Sequence, residues 1–62
     1  MPKVSIEFFK GRTLDQKRAM VKKVTEAITE SIGVKPEVVS ITIHEIDGES
    51  FAQGGVLSCD KK

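Results

Sequence analysis

The segment from Thr13 to Gly33 constrains this chain more than any other. Its apolar residues, Leu14, Met20, Val21, Val24, Ala27, Ile28 and Ile32, fall on one stripe of an α-helix, while Lys17, Lys22, Lys23, Glu26 and Glu30 lie mostly on other faces. Thr13 and Gln16 have the spacing of a capping box, and Asp15 suits the positive end of the helix dipole. Gly33 follows the last apolar position as a C-cap, and Pro36 prevents continuation. The pattern predicts a helix of about 18 residues, about 27 Å long. An apolar stripe of that length needs an apolar surface to cover.

The flanking segments supply one. Val4, Ile6 and Phe8 alternate with Lys3, Ser5 and Glu7, the period of a strand with one apolar face. Phe9 breaks the alternation, as a residue covering a neighbouring element would, and Lys10-Gly11-Arg12 forms a short connection. The β-branched run Val38 to Glu45 predicts a second strand, with Val39, Ile41 and Ile43 on one face and Ser40, Thr42 and His44 on the other. Asp47-Gly48 signals a turn. Ser50 to Ser58 reads as a loop or short hairpin, with Gly54-Gly55 at its bend and Val56-Leu57 returning.

Strand, helix and strand at this spacing make a β-α-β unit with parallel strands and a right-handed crossover. The class is α/β (α+β in some schemes): one domain over residues 1–62, with a short C-terminal hairpin. The helix covers one face of the two-stranded sheet and leaves the other open. A chain of 62 residues buries only about 60% of its unfolded surface. Cys59 is its only cysteine, so no internal disulfide can compensate. The fold is therefore expected to be completed by oligomerisation.

Ten basic and nine acidic residues are interspersed, for a formal charge of +1. A nucleic-acid binder normally concentrates its basic residues, so no nucleic-acid partner is expected, and Lys61-Lys62 reads as a solvated tail. No apolar run approaches the ~20 residues of a membrane span, and the start of the chain lacks the apolar core of a signal peptide. With an unpaired cysteine, this makes a cytoplasmic location the expectation. There is no CxxC or HExxH spacing and only one histidine, His44, so neither a metal nor another cofactor is expected. Gly54-Gly55 is too short a signal for a phosphate loop.

The chemistry-bearing candidates begin at Met1-Pro2. Removal of Met1 would expose a secondary amine that no other residue supplies. An α-amine titrates near pH 8, and a nearby cation or apolar wall favours its neutral form, which can take a proton or attack a carbonyl. Taken alone, Pro2 reads as an incidental proline. Arg12 alone reads as a solvated loop cation, as does Lys10; Phe51 reads as core or subunit packing; His44 reads as a hydrogen-bonding residue on the polar sheet face. Cys59 has no activating partner in the sequence. Pro2 and Arg12 lie beyond opposite ends of the first strand, more than about 20 Å apart at 3.3 Å per residue. One subunit would bring them together only if the connection folded back; a packed neighbour could do so directly.

The ordered set of Pro2, Gly11-Arg12 before a helix opening Asp15-Gln16-Lys17, Glu45 late in the second strand, and Phe51 followed by Gly54-Gly55 resembles the 4-oxalocrotonate tautomerase family over essentially the whole chain. The resemblance implies a tautomerase-like fold and a homo-oligomer, commonly a hexamer built as a trimer of dimers. It implies loss of Met1, Pro2 as general base, Arg12 on a substrate carboxylate and Phe51 in an apolar wall, with arginines of neighbouring subunits reaching one site. The implied activity is cofactor-independent keto–enol tautomerisation of small 2-oxo or 2-hydroxy unsaturated carboxylic acids. Members of this size often carry a second arginine where this chain has Ser40, which can donate a hydrogen bond but brings no charge; Lys35 and His44 are possible substitutes. Two alternatives remain: a dehalogenase or decarboxylase using the same amine, or a small oligomeric binding protein with an idle site.

Overall fold

The helix forms for the reasons its ends announce. In the computed structural model, which describes residues 1–61, α1 spans Leu14–Ile32. The Gln16 N–H donates to Thr13 Oγ1 at 3.1 Å and the Thr13 N–H donates to Gln16 Oε1 at 2.9 Å, the reciprocal pair of a capping box. At the other end the Gly33 N–H donates to the Thr29 carbonyl at 3.0 Å.

The first strand, β1, spans Lys3–Phe9 and pairs in parallel with β2, Ser40–Ile46. The register runs from Lys3 opposite Ser40 to Phe9 opposite Ile46. Backbone bonds extend this ladder past both ends: Ser40 N–H to the Pro2 carbonyl at 3.0 Å, and Lys10 N–H to the Ile46 carbonyl at 2.8 Å. The second strand begins at Ser40 rather than at Val38. Pro36 opens a 3₁₀ turn, Pro36–Val38, in which Val38 N–H bonds to Lys35 and Val39 N–H bonds to Pro36, so neither donor is free for the sheet.

The hairpin is present as β3, Ala52–Gln53, antiparallel to β4, Val56–Leu57. Its bend is Gly54-Gly55, with φ of 61° and 81°, the positive pair that a two-residue hairpin turn demands and that glycine adopts without strain. A second 3₁₀ turn, Ser58–Asp60, follows directly and was not apparent from the sequence.

Burial follows the period of the strands. Val4, Ile6, Phe8, Ile41 and Ile43 are half-buried, whereas Lys3, Ser5, Glu7, Ser40, Thr42 and His44 are exposed. No described residue is fully buried. The accessible surface is 4956 Å², against about 4,000 Å² for a globular monomer of this size. The radius of gyration is 15.1 Å, against about 10.5 Å expected. Leu14 and Ile32, at the two ends of the helix, are 59% and 62% exposed. A single subunit thus lacks a closed core.

Candidate active site

Two groups of candidate residues emerge, at opposite ends of β1. At its head, Pro2 is half-buried and its carbonyl accepts the Ser40 N–H, so Pro2 and Ser40 are neighbours fixed by the ladder. Met1 is 84% exposed, and removing it would cost no packing. While Met1 is attached, the Pro2 nitrogen is an amide and has no basic lone pair; once Met1 is removed, it becomes a secondary amine on ordered backbone.

At the other end, Arg12 lines a groove of about 280 Å³ together with Phe8, Gln16, Lys17 and Met20. Lys17 is held in an ion pair with Glu45 at 3.1 Å. Arg12 is exposed and makes no ion pair among the described residues. Phe51 stands at the same end of the strand but against Phe9, edge to face, with ring centroids 5.7 Å apart and planes at 81°. Since Phe8 and Phe9 alternate across the sheet, the Arg12 groove lies on the helix side and Phe51 on the open side. Pro2 and Phe9 are separated by about 23 Å of strand. The subunit therefore unites Pro2 with Ser40, gathers Arg12 and Phe51 at the far end, and does not bring the two pairs together.

A further constellation was missed in the sequence. Asp47 closes the turn after β2: its Oδ1 accepts the Glu49 N–H at 3.0 Å, its carbonyl accepts the Ser50 N–H at 3.1 Å, and its own N–H donates to Ser50 Oγ at 2.9 Å. Its Oδ2 lies 3.5 Å from Lys10 Nζ. The Glu49 N–H draws the Asp47 carboxyl below its ordinary value; desolvation opposes it, and the Ser50 hydroxyl and Lys10 add smaller lowering effects. The Asp47-Gly48 dipeptide signalled the turn. The pairing with Lys10 depends on the parallel register, which no local pattern displays.

His44 is exposed on the open sheet face opposite Glu7, and Cys59 is exposed with its Sγ 3.8 Å from the Asp60 carboxylate. Among the described residues, no three His, Cys, Asp or Glu side chains are grouped so that they could hold a metal ion, and no helix is long and apolar enough to cross a membrane.

Comparison with known proteins agrees with this architecture. The tautomerase enzyme family model matches residues 2–61. A probable tautomerase of Halalkalibacterium halodurans is 38% identical over 98% of this chain and 100% of its own length. The 2-hydroxymuconate tautomerase of Bacillus subtilis is 40% identical over 89% of each chain. Among solved structures, YwhB, a homologue of 4-oxalocrotonate tautomerase, superposes with a TM-score of 0.88 at 36% identity, covering 98% of this chain and 100% of its own. A second 4-oxalocrotonate tautomerase homologue gives 0.88 at 31% identity, over 100% of this chain and 98% of its own. With its β-α-β unit, C-terminal hairpin and open sheet face, the chain belongs to the tautomerase family, whose members are isomerases.

Proposed function

We propose that this protein is a keto–enol tautomerase of small 2-oxo or 2-hydroxy unsaturated carboxylic acids, with Pro2 as general base after loss of Met1. The observation that carries this reading is the anchoring of Pro2 to the ladder by the Ser40 N–H. A base held on ordered backbone loses little freedom when it meets its substrate. The neutral Pro2 nitrogen takes a proton from the enol oxygen or an adjacent carbon, and the resulting ammonium returns it elsewhere on the conjugated system. Arg12 of another subunit binds the carboxylate, and its charge, with the apolar wall around Phe51, favours the neutral amine. Ser40, a backbone N–H or a water donates to the developing dienolate oxygen.

The same reading makes the protein a homo-oligomer, with a hexamer as the expected size, because each site needs the head of one strand and the tail of another. It also narrows the substrate. Ser40, beside Pro2 at the head of the ladder, brings no charge, and Arg12 is the one arginine that this reading places on the substrate. One guanidinium is thus left for one carboxylate, which favours monoacids over diacids.

Ultraviolet monitoring of phenylenolpyruvate and 2-hydroxymuconate ketonisation tests the reading, using protein whose N-terminus has been checked by intact mass. Turnover of both is expected, with the monoacid favoured. If Pro2-terminated protein accelerates neither reaction above buffer, the tautomerase reading fails.

A further inference from the structure

Phe51 is held at two points of its own: its carbonyl accepts the Ser58 N–H at 2.9 Å, and its ring meets Phe9 edge to face. It follows a turn and precedes the two-residue strand β3. On its N-terminal side, the segment Asp47 to Ser50 sets the path by which the chain reaches it. Every polar group of Asp47 is committed there: the N–H to Ser50 Oγ, the carbonyl to the Ser50 N–H, Oδ1 to the Glu49 N–H and Oδ2 towards Lys10. Lys10 is in turn tied to the end of β2 through the Ile46 carbonyl at 2.8 Å, two residues before Arg12. Asp47 is thus the point where the arm leading to Phe51 meets the arm leading to Arg12.

We propose that Asp47 is a positioning residue of the active site, whose turn sets Phe51 against Phe9 at the end of β1 that leads to Arg12. Its importance for substrate binding rests on the function proposed above; its control of Phe51 does not. The turn, rather than the ion pair, carries the effect. The side chains of Lys10 and Asp47 are 64% and 48% exposed, and ion pairs this open contribute little. The Oδ1 bond to the Glu49 N–H is a local constraint, and asparagine can reproduce it.

Asp47→Ala removes the acceptor for the Glu49 N–H, whereas Asp47→Asn retains an acceptor there and removes the charge. The chain has three phenylalanines, so protein labelled with 4-fluorophenylalanine gives three fluorine resonances, and loss of one in Phe51→Leu assigns Phe51. Without substrate, Asp47→Ala is expected to shift or broaden the Phe51 resonance, and Asp47→Asn to leave it in place. Ser50→Ala, which removes the acceptor for the Asp47 N–H, is expected to move it in the same direction as Asp47→Ala and covers the case in which Asp47→Ala does not fold. With phenylenolpyruvate, Asp47→Ala should raise KM about tenfold with a smaller change in kcat, and Asp47→Asn should restore it. A merely stabilising residue would lower the melting temperature but leave the Phe51 resonance and KM alone, and that result overturns the proposal. An Asp47→Asn variant as impaired as Asp47→Ala overturns it as well. If the unaltered enzyme proves inactive, the function fails on its own, and the Phe51 resonance alone still decides the positioning role.

Discussion

The two ends of β1 are built differently. At the head, Pro2 is tied to its neighbours by one backbone hydrogen bond, and the residue before it is almost wholly in solvent. At the tail, the Phe9–Phe51 aromatic pair, the Lys10–Asp47 and Lys17–Glu45 ion pairs and the helix cap all stand at the end of the strand that leads to Arg12. On the proposed function, the base needs little more than a fixed nitrogen, because its chemistry belongs to one atom. The binding end has to hold a guanidinium on one side of the strand and an apolar wall on the other, which takes many side chains. The strand between them is a spacer of about 23 Å, so the two ends can meet only across a subunit boundary.

The largest expected effect tests that separation directly. Pro2→Ala leaves a primary amine in place of the secondary one, and kcat/KM should fall by roughly 10²–10⁴, the usual contribution of a general base. Unchanged activity would remove Pro2 from the mechanism. Co-refolding Pro2→Ala with Arg12→Ala sharpens the result. If the sites are shared, roughly a quarter of those in a random equal mixture combine an intact Pro2 with an intact Arg12, and activity returns. If each site is confined to one chain, mixing restores nothing.

Next in size is Arg12→Ala alone. A charged hydrogen bond to a carboxylate is worth about 1.5–3 kcal/mol, so kcat/KM for an acidic substrate should fall about ten- to a hundredfold. Assembly, measured by size in solution, should be unchanged, because Arg12 is exposed and unpaired among the described residues. An equal loss with a neutral ester of the same substrate would break the assignment of carboxylate binding to this end.

The structural asymmetry predicts a smaller contrast. A Cβ on Gly48 would lie 3.0 Å from the Cys59 N and Cβ and 3.1 Å from its Cα. The Cys59 N–H also donates to the Gly48 carbonyl at 3.0 Å, so backbone must move. Gly48→Ala should cost about 1–3 kcal/mol, as overpacking does. Lys3→Ala, at the sparsely held head, should stay within about 0.5 kcal/mol. Urea unfolding at equal subunit concentration compares them, and equal losses would deny that the tail is the more tightly built end.

The helix and β1 were legible in the sequence because their signals are local: the Thr13–Gln16 capping box, the apolar stripe, Gly33, and the alternation of Val4, Ile6 and Phe8. The hairpin at Gly54-Gly55 was legible for the same reason. The start of β2 was not, because Val38 and Val39 look like strand residues while Pro36 diverts their N–H groups into a 3₁₀ turn. Of the candidate site, the separation of Pro2 from Arg12 could be computed from strand length alone. The meeting of Phe51 with Phe9 and of Asp47 with Lys10 could not, since both depend on the register of one strand against the other. Lys10 in particular looked like a solvated cation until the register set it beside Asp47.

The smallest effect concerns the cap next to Arg12. Thr13→Ala removes the acceptor for the Gln16 N–H, and the loss of such a cap costs about 1 kcal/mol. The midpoint of urea unfolding should fall accordingly with an unchanged slope. If the tail holds Arg12 through several elements at once, as the Lys17–Glu45 pair and the Lys10 backbone bond indicate, the KM for phenylenolpyruvate should rise less than about twofold, because one lost constraint leaves the others standing. A rise matching that of Arg12→Ala would mean that the first turn of the helix alone aims the arginine. The tail would then hang on a single contact, as the head does on the Ser40 N–H, and the contrast between the two ends would disappear.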